Sequence, residues 1–173
     1  MHDYSLELFN TDLRWICLLW RRGTLARLSF YHDSAASAKA LVENKFGRSV
    51  PLKINSSSLA RAVTRYAAGE NVSFSKIRID FRGTIFQHKV LSCCQQIPYG
   101  CILSYGEVAK QVGHPRAARA VGGVMRNNRC PLVVPCHRVL GSNGKLTGFS
   151  AGTGVELKHQ LLQMEGINPE FVF

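Results

Sequence analysis

Hydrophobic and polar residues alternate over short distances in the first part of the chain. Three runs rich in Leu, Ile, Phe and Trp cover residues 4–9, 14–20 and 24–32. The segments between them, Asn10-Thr11-Asp12 and Arg21-Arg22-Gly23, contain residues that favour turns. Consecutive strands joined by such short turns pair as hairpins. The pattern therefore predicts a small antiparallel sheet of three strands.

The spacing of apolar residues then changes to that of a helix. Ser34 is placed to cap a helix that runs to Phe46, and a second helix is predicted over residues 59–68, stopped by Gly69. The first helix has an apolar stripe at Ala38, Leu41, Val42 and Phe46. Residues 72–81 alternate imperfectly and predict one more strand. No residue here suggests chemistry, so this part is interpreted as a scaffold.

The composition changes near Gly83, and from there the pattern is mainly helical. Helices are predicted over 84–96, from Ser104 to Gly113, over 116–126, and from Thr153 to Glu165. Ser104–Glu107 and Thr153–Glu156 have the spacing of capping boxes, and Gly166 follows the last helix as a C-cap. The predicted fold class is α/β, with an N-terminal domain at 1–82 and a mainly helical C-terminal domain at 83–173.

Two of these helices are short and are joined by a turn at His114-Pro115, which is the pattern of a helix-turn-helix. One face of the second helix is apolar and is expected to pack inward; it carries Ala117, Ala120, Val121 and Val124. The opposite face is small and cationic; it carries Ala118, Arg119, Gly122 and Arg126. Two adjacent glycines inside a helix cost about 1 kcal/mol each. Close approach of a nucleic-acid groove or of another helix would explain them, and both explanations stay open here.

The charge of the chain favours the first explanation. The 173 residues carry a formal net charge of +11, which indicates a polyanionic partner, nucleic acid before membrane. Between Val108 and Val155 there is no acidic residue. The same stretch contains seven cations, Lys110, Arg116, Arg119, Arg126, Arg129, Arg138 and Lys145. Since no run is apolar enough to span a bilayer and no signal peptide is recognisable, we expect a soluble intracellular protein without a membrane partner.

Six cysteines are present, and none forms a Cys-x-x-Cys pair. We therefore predict no metal site, although a Cys101–Cys130 bridge remains open. Cys136 differs from the others because it lies beside His137 within the apolar segment 133–139. A thiol becomes a nucleophile as the thiolate, which a neighbouring base can generate. Glu165 ends an apolar stripe at a helix C-terminus, where the helix dipole disfavours an anion, so His137 is its candidate partner.

Several ordered motifs now point to one family. The segment Val134-Pro135-Cys136-His137-Arg138-Val139 follows Ser104-Tyr105-Gly106, Arg119-Ala120-Val121-Gly122 and Asn127-Asn128. Between about Phe86 and Gly166 the chain resembles the O6-alkylguanine-DNA alkyltransferases. The resemblance implies an N-terminal ribonuclease-H-like α/β roll, and a C-terminal helix-turn-helix whose second helix enters the minor groove of double-stranded DNA. It also implies repair of O6-alkylguanine in a single turnover without cofactor or metal. We further expect a monomer that is cytoplasmic or, in a eukaryote, nuclear.

The same resemblance assigns roles to individual residues. Cys136 is the nucleophile, His137 takes its proton through a water, Glu165 holds His137, Tyr105 donates to guanine N3, and Asn128 supports the cysteine turn. Residues expected to bind the substrate base are Met125, Val139, Phe149, Ser150 and Ala151. Residues expected to bind DNA are Tyr105, Ala118, Arg119, Ala120, Gly122 and Arg126.

Two departures from the family pattern concern the base pocket. Phe149 stands where Tyr is usual, and Ala151 stands where Gly is frequent. The size of the preferred adduct and activity on O4-alkylthymine therefore stay open. Three other functions are alternatives: a lesion-binding relative, a DNA-binding regulator and a Cys-His hydrolase of acyl substrates. The combination of Cys136, His137 and Glu165 argues against the first two, and stoichiometric transfer would separate the family from the third.

Overall fold

The chain divides into two units. The computed structural model describes residues 3–46, 50–53 and 56–168. The described residues up to Val72, together with Lys76–Asp80, form one unit, and Ser73–Ser75 with the residues from Phe81 onward form the other. The boundary after residue 82 stays a prediction about where separate domains meet.

An antiparallel sheet is the centre of the first unit. Strands β1 (Tyr4–Thr11), β2 (Arg14–Arg21) and β3 (Thr24–His32) pair in the order β1-β2-β3, which confirms the predicted meander. One face of the sheet packs on helix α1 (Ala35–Phe46). The buried residues of this core are Leu6, Cys17, Leu19, Ala38, Val42 and Val50. The fold is thus a mixed α/β structure with a small antiparallel sheet.

A buried carboxylate anchors the second helix, α2 (Ser58–Ala67), to this sheet. Glu7 on β1 is 3% exposed and accepts hydrogen bonds from Trp20 Nε1, at 2.6 Å, and from the backbone N–H of Ser57. Ser57 in turn caps α2, and its side chain accepts a hydrogen bond from Ala60 N at 3.1 Å. A buried carboxylate needs such donors, because leaving it without them is costly.

Two predictions for this part were wrong. Leu41 is 43% exposed, so the buried stripe of α1 consists of Ala38 and Val42, while the side chain of Phe46 lies outside the described part of the structure. Residues 72–81 form no strand. Only Ile79 bridges to Leu25, through hydrogen bonds on either side of it. The backbone carbonyl of Phe74 accepts a hydrogen bond from the Gln95 side chain at 3.1 Å. In a strand, this carbonyl would instead accept a hydrogen bond from the backbone of a neighbouring strand.

The second unit is mainly helical. It contains α3 (Ile85–Gln95), α4 (Tyr105–Gln111), α5 (Ala118–Arg126) and α6 (Val155–Met164). The predicted capping box at Ser104 is present at the start of α4. The predicted box at Thr153 is wrong, because α6 begins after Gly154, whose φ of 73° suits glycine, and no side chain caps it.

Helices α3, α4 and α5 pack against one another. The buried side of α5 consists of Val121, Val124 and Met125. Ala120, which was predicted to face inward, is exposed instead, because the helix is rotated toward Met125. Of the helices in the described ranges, none is both long and apolar enough to cross a membrane.

Candidate active site and nucleic-acid interface

The cysteine segment is buried, as predicted. Val133, Val134 and Val139 are 0% exposed, and Cys136 is 5% exposed. Cys136–Arg138 form a single 3-10 turn, which leads into strand β5 (Val139–Leu140). Strand β5 pairs in parallel with β4 (Leu103–Ser104), directly before α4. This short pairing places the start of α4, and therefore Tyr105, in the same region as the cysteine turn.

Asn128 holds the cysteine turn from one side. Its Nδ2 donates to Val134 O at 2.8 Å and to Cys136 Sγ at 3.2 Å, while its Oδ1 accepts from Cys130 N at 3.0 Å. An amide with both ends engaged has a single allowed orientation. The sulfur is therefore held in a defined position and receives a polar hydrogen.

The environment of Cys136 keeps the sulfur protonated in the absence of a substrate. Burial raises the pKa of the thiol, and the hydrogen bond from Asn128 and the charge of Lys158 only partly oppose this. Because the thiolate is the reactive form, the site needs a base that takes the proton when the reaction begins.

His137 and Glu165 form the expected pair. Nε2 of His137 lies 2.9 Å from Oε1 of Glu165, and both side chains are fully buried. Glu165 is the C-cap residue of α6, where its backbone N–H bonds to the last turn. The structure therefore brings together Cys136, its neighbour His137, and a carboxylate that orients the imidazole.

Arg138 is the second side chain that binds this carboxylate, and sequence reasoning missed it. Its Nε donates to Glu165 Oε2 and its second terminal nitrogen to Oε1, both at 2.8 Å. The remaining terminal nitrogen donates to Ile97 O at 2.6 Å. Arg138 was counted among the cations available to phosphate, but it is 4% exposed and paired, so it does not belong to that surface.

The protonation states of this cluster follow from burial and charge. Burial by itself would raise the pKa of Glu165, but hydrogen bonds from His137 and Arg138 outweigh it and bring the pKa down to about 2. Burial is also the main reason why the pKa of His137 is lowered, and Arg138 and Lys158 lower it further against the influence of Glu165. At neutral pH the pair is therefore a neutral imidazole beside an ionised carboxylate.

Lys158 is a second residue that sequence reasoning missed. It is 0% exposed, and its Nζ donates to Val139 O at 2.6 Å and to Thr147 O at 3.1 Å. Burial lowers its pKa to about 8. The sequence signal that could have identified Lys158 as buried is its position next to Leu157, on the side of α6 that faces the core.

A cleft of about 920 Å³ reaches this cluster through Thr147, whose carbonyl accepts a hydrogen bond from Lys158, but Cys136, His137, Glu165 and Asn128 do not line it. It is lined by residues from α4, α5 and the segment 142–150, and these are Ser104, Tyr105, Gly106, Ala118, Arg119, Gly122, Gly123, Arg126, Ser142, Thr147, Gly148, Phe149 and Ser150. Most of the residues expected to bind base or DNA are therefore neighbours. Four expected residues do not line the cleft: Ala120, Met125, Val139 and Ala151. Met125 and Val139 are buried, at 4% and 0% exposure.

Comparison with known proteins agrees with the chemistry of this cluster. Residues 85–167 match the family described as 6-O-methylguanine DNA methyltransferase, DNA binding domain. The constitutive methylated-DNA–protein-cysteine methyltransferase of Bacillus subtilis is 38% identical over 159 residues, which cover 92% of this chain and 93% of the relative. The chain belongs to the methylated-DNA–protein-cysteine methyltransferase family.

Other relatives match over a shorter range. The methylated-DNA–protein-cysteine methyltransferase of Methanosarcina acetivorans is 47% identical over 109 residues, 62% of this chain and 67% of the relative. Matches to two mycobacterial members cover 59% of each relative's length. Among solved structures, OGT of Mycobacterium tuberculosis in complex with DNA has a TM-score of 0.76 and 32% identity, and the match covers 95% of each chain.

In this methyltransferase, packing within the chain does not require the paired glycines of α5. Among the described residues, a Cβ added at Gly123 would meet no atom within 4 Å, and one at Gly122 would make only an ordinary contact, at 3.9 Å, with the Tyr105 ring. Helix–helix packing, one of the two explanations left open, is therefore wrong for these positions. Both glycines line the cleft, where a Cβ would project toward whatever enters it.

Tyr105 contributes a phenol hydroxyl to the cleft. Burial raises the pKa of its hydroxyl, while the Thr147 side chain lowers it. The phenol is therefore protonated at neutral pH and can donate a hydrogen bond. Cys101 is exposed and Cys130 is buried, and no disulfide joins them.

Proposed function

We propose that this protein repairs DNA by direct reversal, transferring the alkyl group of O6-alkylguanine to Cys136 Sγ in a single event. The observation that carries the proposal is the buried thiol of Cys136, followed in the chain by a neutral His137 that is oriented by the ionised Glu165. Such an arrangement supplies a nucleophile, a base and an orienting group without a metal or cofactor.

The proton path follows from the hydrogen bond to Glu165. An ionised carboxylate can only accept, so the Nε2–H of His137 donates to it and the lone pair lies on Nδ1. The thiol proton passes to Nδ1 through a bridging water. The sulfur then attacks the alkyl carbon, so that the S–C bond forms as the bond between that carbon and guanine O6 breaks.

The leaving guanine must accept a proton to depart as a neutral base. Tyr105 lies in the cleft with its hydroxyl protonated and donates to guanine N3. The carbonyls of Cys136 and Val139 contact the exocyclic amine. Each already accepts one hydrogen bond, from Val139 N and Lys158 Nζ respectively, and each has a second lone pair. Ser150 faces O6. Tyr105 then regains a proton from solvent and His137 releases the thiol proton to solvent, so that overall one proton replaces the alkyl group on guanine.

The product explains why the reaction happens once. Alkylation converts Cys136 into a thioether, which has no acyl carbonyl for water to attack and whose sulfur is no longer a nucleophile. No step in the proposed chemistry restores the thiol. Each chain therefore removes one alkyl group.

The partner is double-stranded DNA that carries the lesion. We propose that α4 and α5 act as a helix-turn-helix and that α5 enters the minor groove, with a monomer bound to each lesion. The cleft-lining face with Ala118, Gly122 and Gly123 has side chains small enough for a narrow groove. After the damaged nucleotide is flipped into the cleft, Arg119 fills the gap that it leaves in the base stack. We also propose that the N-terminal unit folds as a ribonuclease-H-like α/β roll.

Arg119 and Arg126 should respond differently to substitution by alanine. Arg126→Ala removes a phosphate contact, so the affinity should fall equally for lesion and undamaged duplexes. The slope of log affinity against log salt concentration should also become shallower by about one, which corresponds to one released counterion. Arg119→Ala should reduce the preference for the lesion and leave binding to undamaged DNA nearly unchanged. Fluorescence anisotropy at several salt concentrations measures both. The same loss of preference in both variants would contradict the assigned role of Arg119.

Intact-protein mass after incubation with a duplex containing O6-methylguanine tests the function. The protein should gain one methylene, about 14 Da, on Cys136, and the gain should saturate at one per chain. Cys136→Ser is the control and should gain nothing while still binding the lesion. An O4-methylthymine duplex in the same assay tests the second substrate.

Two other results would point away from repair. Tight binding of the lesion with no gain in mass would indicate a protein that senses the lesion. Repeated turnover of an ester substrate, with no transfer from DNA, would indicate a hydrolase. Either result would contradict the proposal. Both are measured on the wild-type protein, so the test does not depend on whether a variant folds.

A further inference from the structure

The Glu165 carboxylate binds two side chains in the buried cluster. Glu165 accepts a hydrogen bond from His137 at 2.9 Å and a bidentate pair from Arg138 at 2.8 Å for each bond. It also accepts from Gly100 N at 3.2 Å. Arg138 is fixed independently by its bond to Ile97 O at 2.6 Å. The guanidinium is therefore built into the cluster and does not merely lie near it.

The charged groups around His137 come from three parts of the chain. Helix α6 contributes the anion Glu165 and the cation Lys158, and the 3-10 turn contributes Cys136 and Arg138. Tyr99, from the segment before β4, lies beside Glu165 and Arg138, and its own hydroxyl donates to Met164 O at 2.8 Å. Of these groups, only Arg138 binds the carboxylate through two parallel hydrogen bonds, so it is the group that neutralises Glu165.

The number of protons on the pair decides whether His137 can act as a base. With one proton, on Nε2, the imidazole donates to Glu165 and Nδ1 is basic. A second proton has two possible positions. On the imidazole it makes Nδ1 an N–H. On Glu165 the carboxyl group donates to Nε2, and the ring proton must then sit on Nδ1. In both cases Nδ1 loses its lone pair, so the thiol proton has no acceptor.

We infer that Arg138 is a positioning residue that keeps the second proton off the His137–Glu165 pair, so that Nδ1 of His137 remains the base for Cys136. The inference rests on the proposed function, in which His137 accepts the thiol proton. Without the guanidinium, the ionised carboxylate would be a buried anion that keeps its hydrogen bonds from His137 and Gly100 N but has lost the cation bound to it. Such a site neutralises itself by taking up a proton.

Arginine suits this role better than lysine. A guanidinium keeps its proton in proteins and matches both oxygens of a carboxylate at once. A lysine would supply the charge but only a single point of contact. Arg138→Lys should therefore retain part of the effect, and Arg138→Met should lose it.

The experiment measures the single-turnover rate of methyl transfer from an O6-methylguanine duplex, with DNA saturated, between pH 6 and pH 10. The rate of each variant is divided by the wild-type rate at the same pH. For Arg138→Met the ratio should be lowest near neutral pH, at roughly one tenth or less, and should rise toward one as the pH increases. For Arg138→Lys the same rise should be smaller.

A double variant separates proton control from damage to the structure. Arg138→Met combined with Glu165→Gln removes both charges and leaves an amide oxygen that still accepts from Nε2. Because no anion remains to attract a proton, its rate ratio should not depend on pH. Affinity for the duplex, measured by anisotropy, should be the same in all these proteins.

Several results would overturn the inference. A ratio for Arg138→Met that is reduced equally at every pH would show only a structural role, and a ratio of one at every pH would show no role. A pH-dependent ratio in the double variant would place the titration elsewhere. If Arg138→Met does not fold, Arg138→Lys and the double variant give the same test. Failure of the proposed function is separate, since wild-type protein would then gain no methyl group on Cys136.

Discussion

Replacing Glu165 by alanine should lower the free energy of unfolding by about 3–5 kcal/mol, the cost of leaving a buried charge without its partner. The carboxylate accepts hydrogen bonds from His137, Arg138 and Gly100 N, and alanine would leave all these donors without it. Urea unfolding followed by circular dichroism measures the change. A loss below about 1 kcal/mol, which is typical of exposed ion pairs, would contradict the buried geometry.

Two controls identify the origin of this loss. Glu165→Gln keeps an acceptor oxygen and the shape of the side chain, so it should cost less than alanine, although it still leaves the guanidinium without an anion. Adding Arg138→Met to Glu165→Gln should recover stability relative to Glu165→Gln alone, because the buried cation is then removed as well. Simple addition of the two single effects would mean that the pair is not coupled.

The same carboxylate makes stability depend on pH in a defined window. The pKa of Glu165 falls from an ordinary 4.5 to about 2 in the folded protein. A group whose pKa is depressed by folding stabilises the protein fully above its unfolded pKa. This contribution should be lost as the pH falls from about 4.5 to about 2, and the loss should be absent from the Glu165→Gln variant.

Local sequence patterns were sufficient to predict those structural features that depend on residues close together in the chain. The turn residues between the first three runs predict the β1-β2-β3 meander, and the capping box at Ser104 predicts the start of α4. The apolar stretch around Cys136 predicts its burial. The contact between His137 and Glu165 was predicted because a carboxylate at a helix C-terminus needs a donor, and the structure contains that contact.

Features that depend on the tertiary structure could not be predicted in this way. Arg138 was assigned to a phosphate-binding surface because cations are usually exposed, but the fold turns it inward to Glu165. Lys158 is buried because α6 turns it toward Val139 and Thr147. Residues 72–81 are apolar enough for a strand, yet only Ile79 lies beside a strand that it can bridge. In each case the deciding partner is distant in sequence.

Substitution of His137 by phenylalanine should slow methyl transfer at pH 7 by about 10²–10⁴-fold, the usual contribution of a positioned general base. The thiol would then have to lose its proton to solvent before it reacts, and burial raises the pKa of Cys136. The rate of the variant should therefore increase about tenfold per pH unit on the alkaline side, because the thiolate fraction grows in that proportion. The wild-type rate should change little through neutral pH, since the pKa of His137 is lowered and its imidazole is already neutral.

The fold should survive this change, because Arg138 keeps both of its hydrogen bonds to Glu165 when the imidazole is removed. His88→Phe is the matched control, since His88 lies on α3 against Phe81 and takes no part in the cluster. It should transfer methyl groups at the wild-type rate. Single-turnover kinetics with a saturating O6-methylguanine duplex distinguish the cases. If His137→Phe kept the flat pH dependence of the wild type at a reduced rate, the base would be another group. An unchanged rate at pH 7 would mean that Cys136 ionises without help, against the effect of its burial.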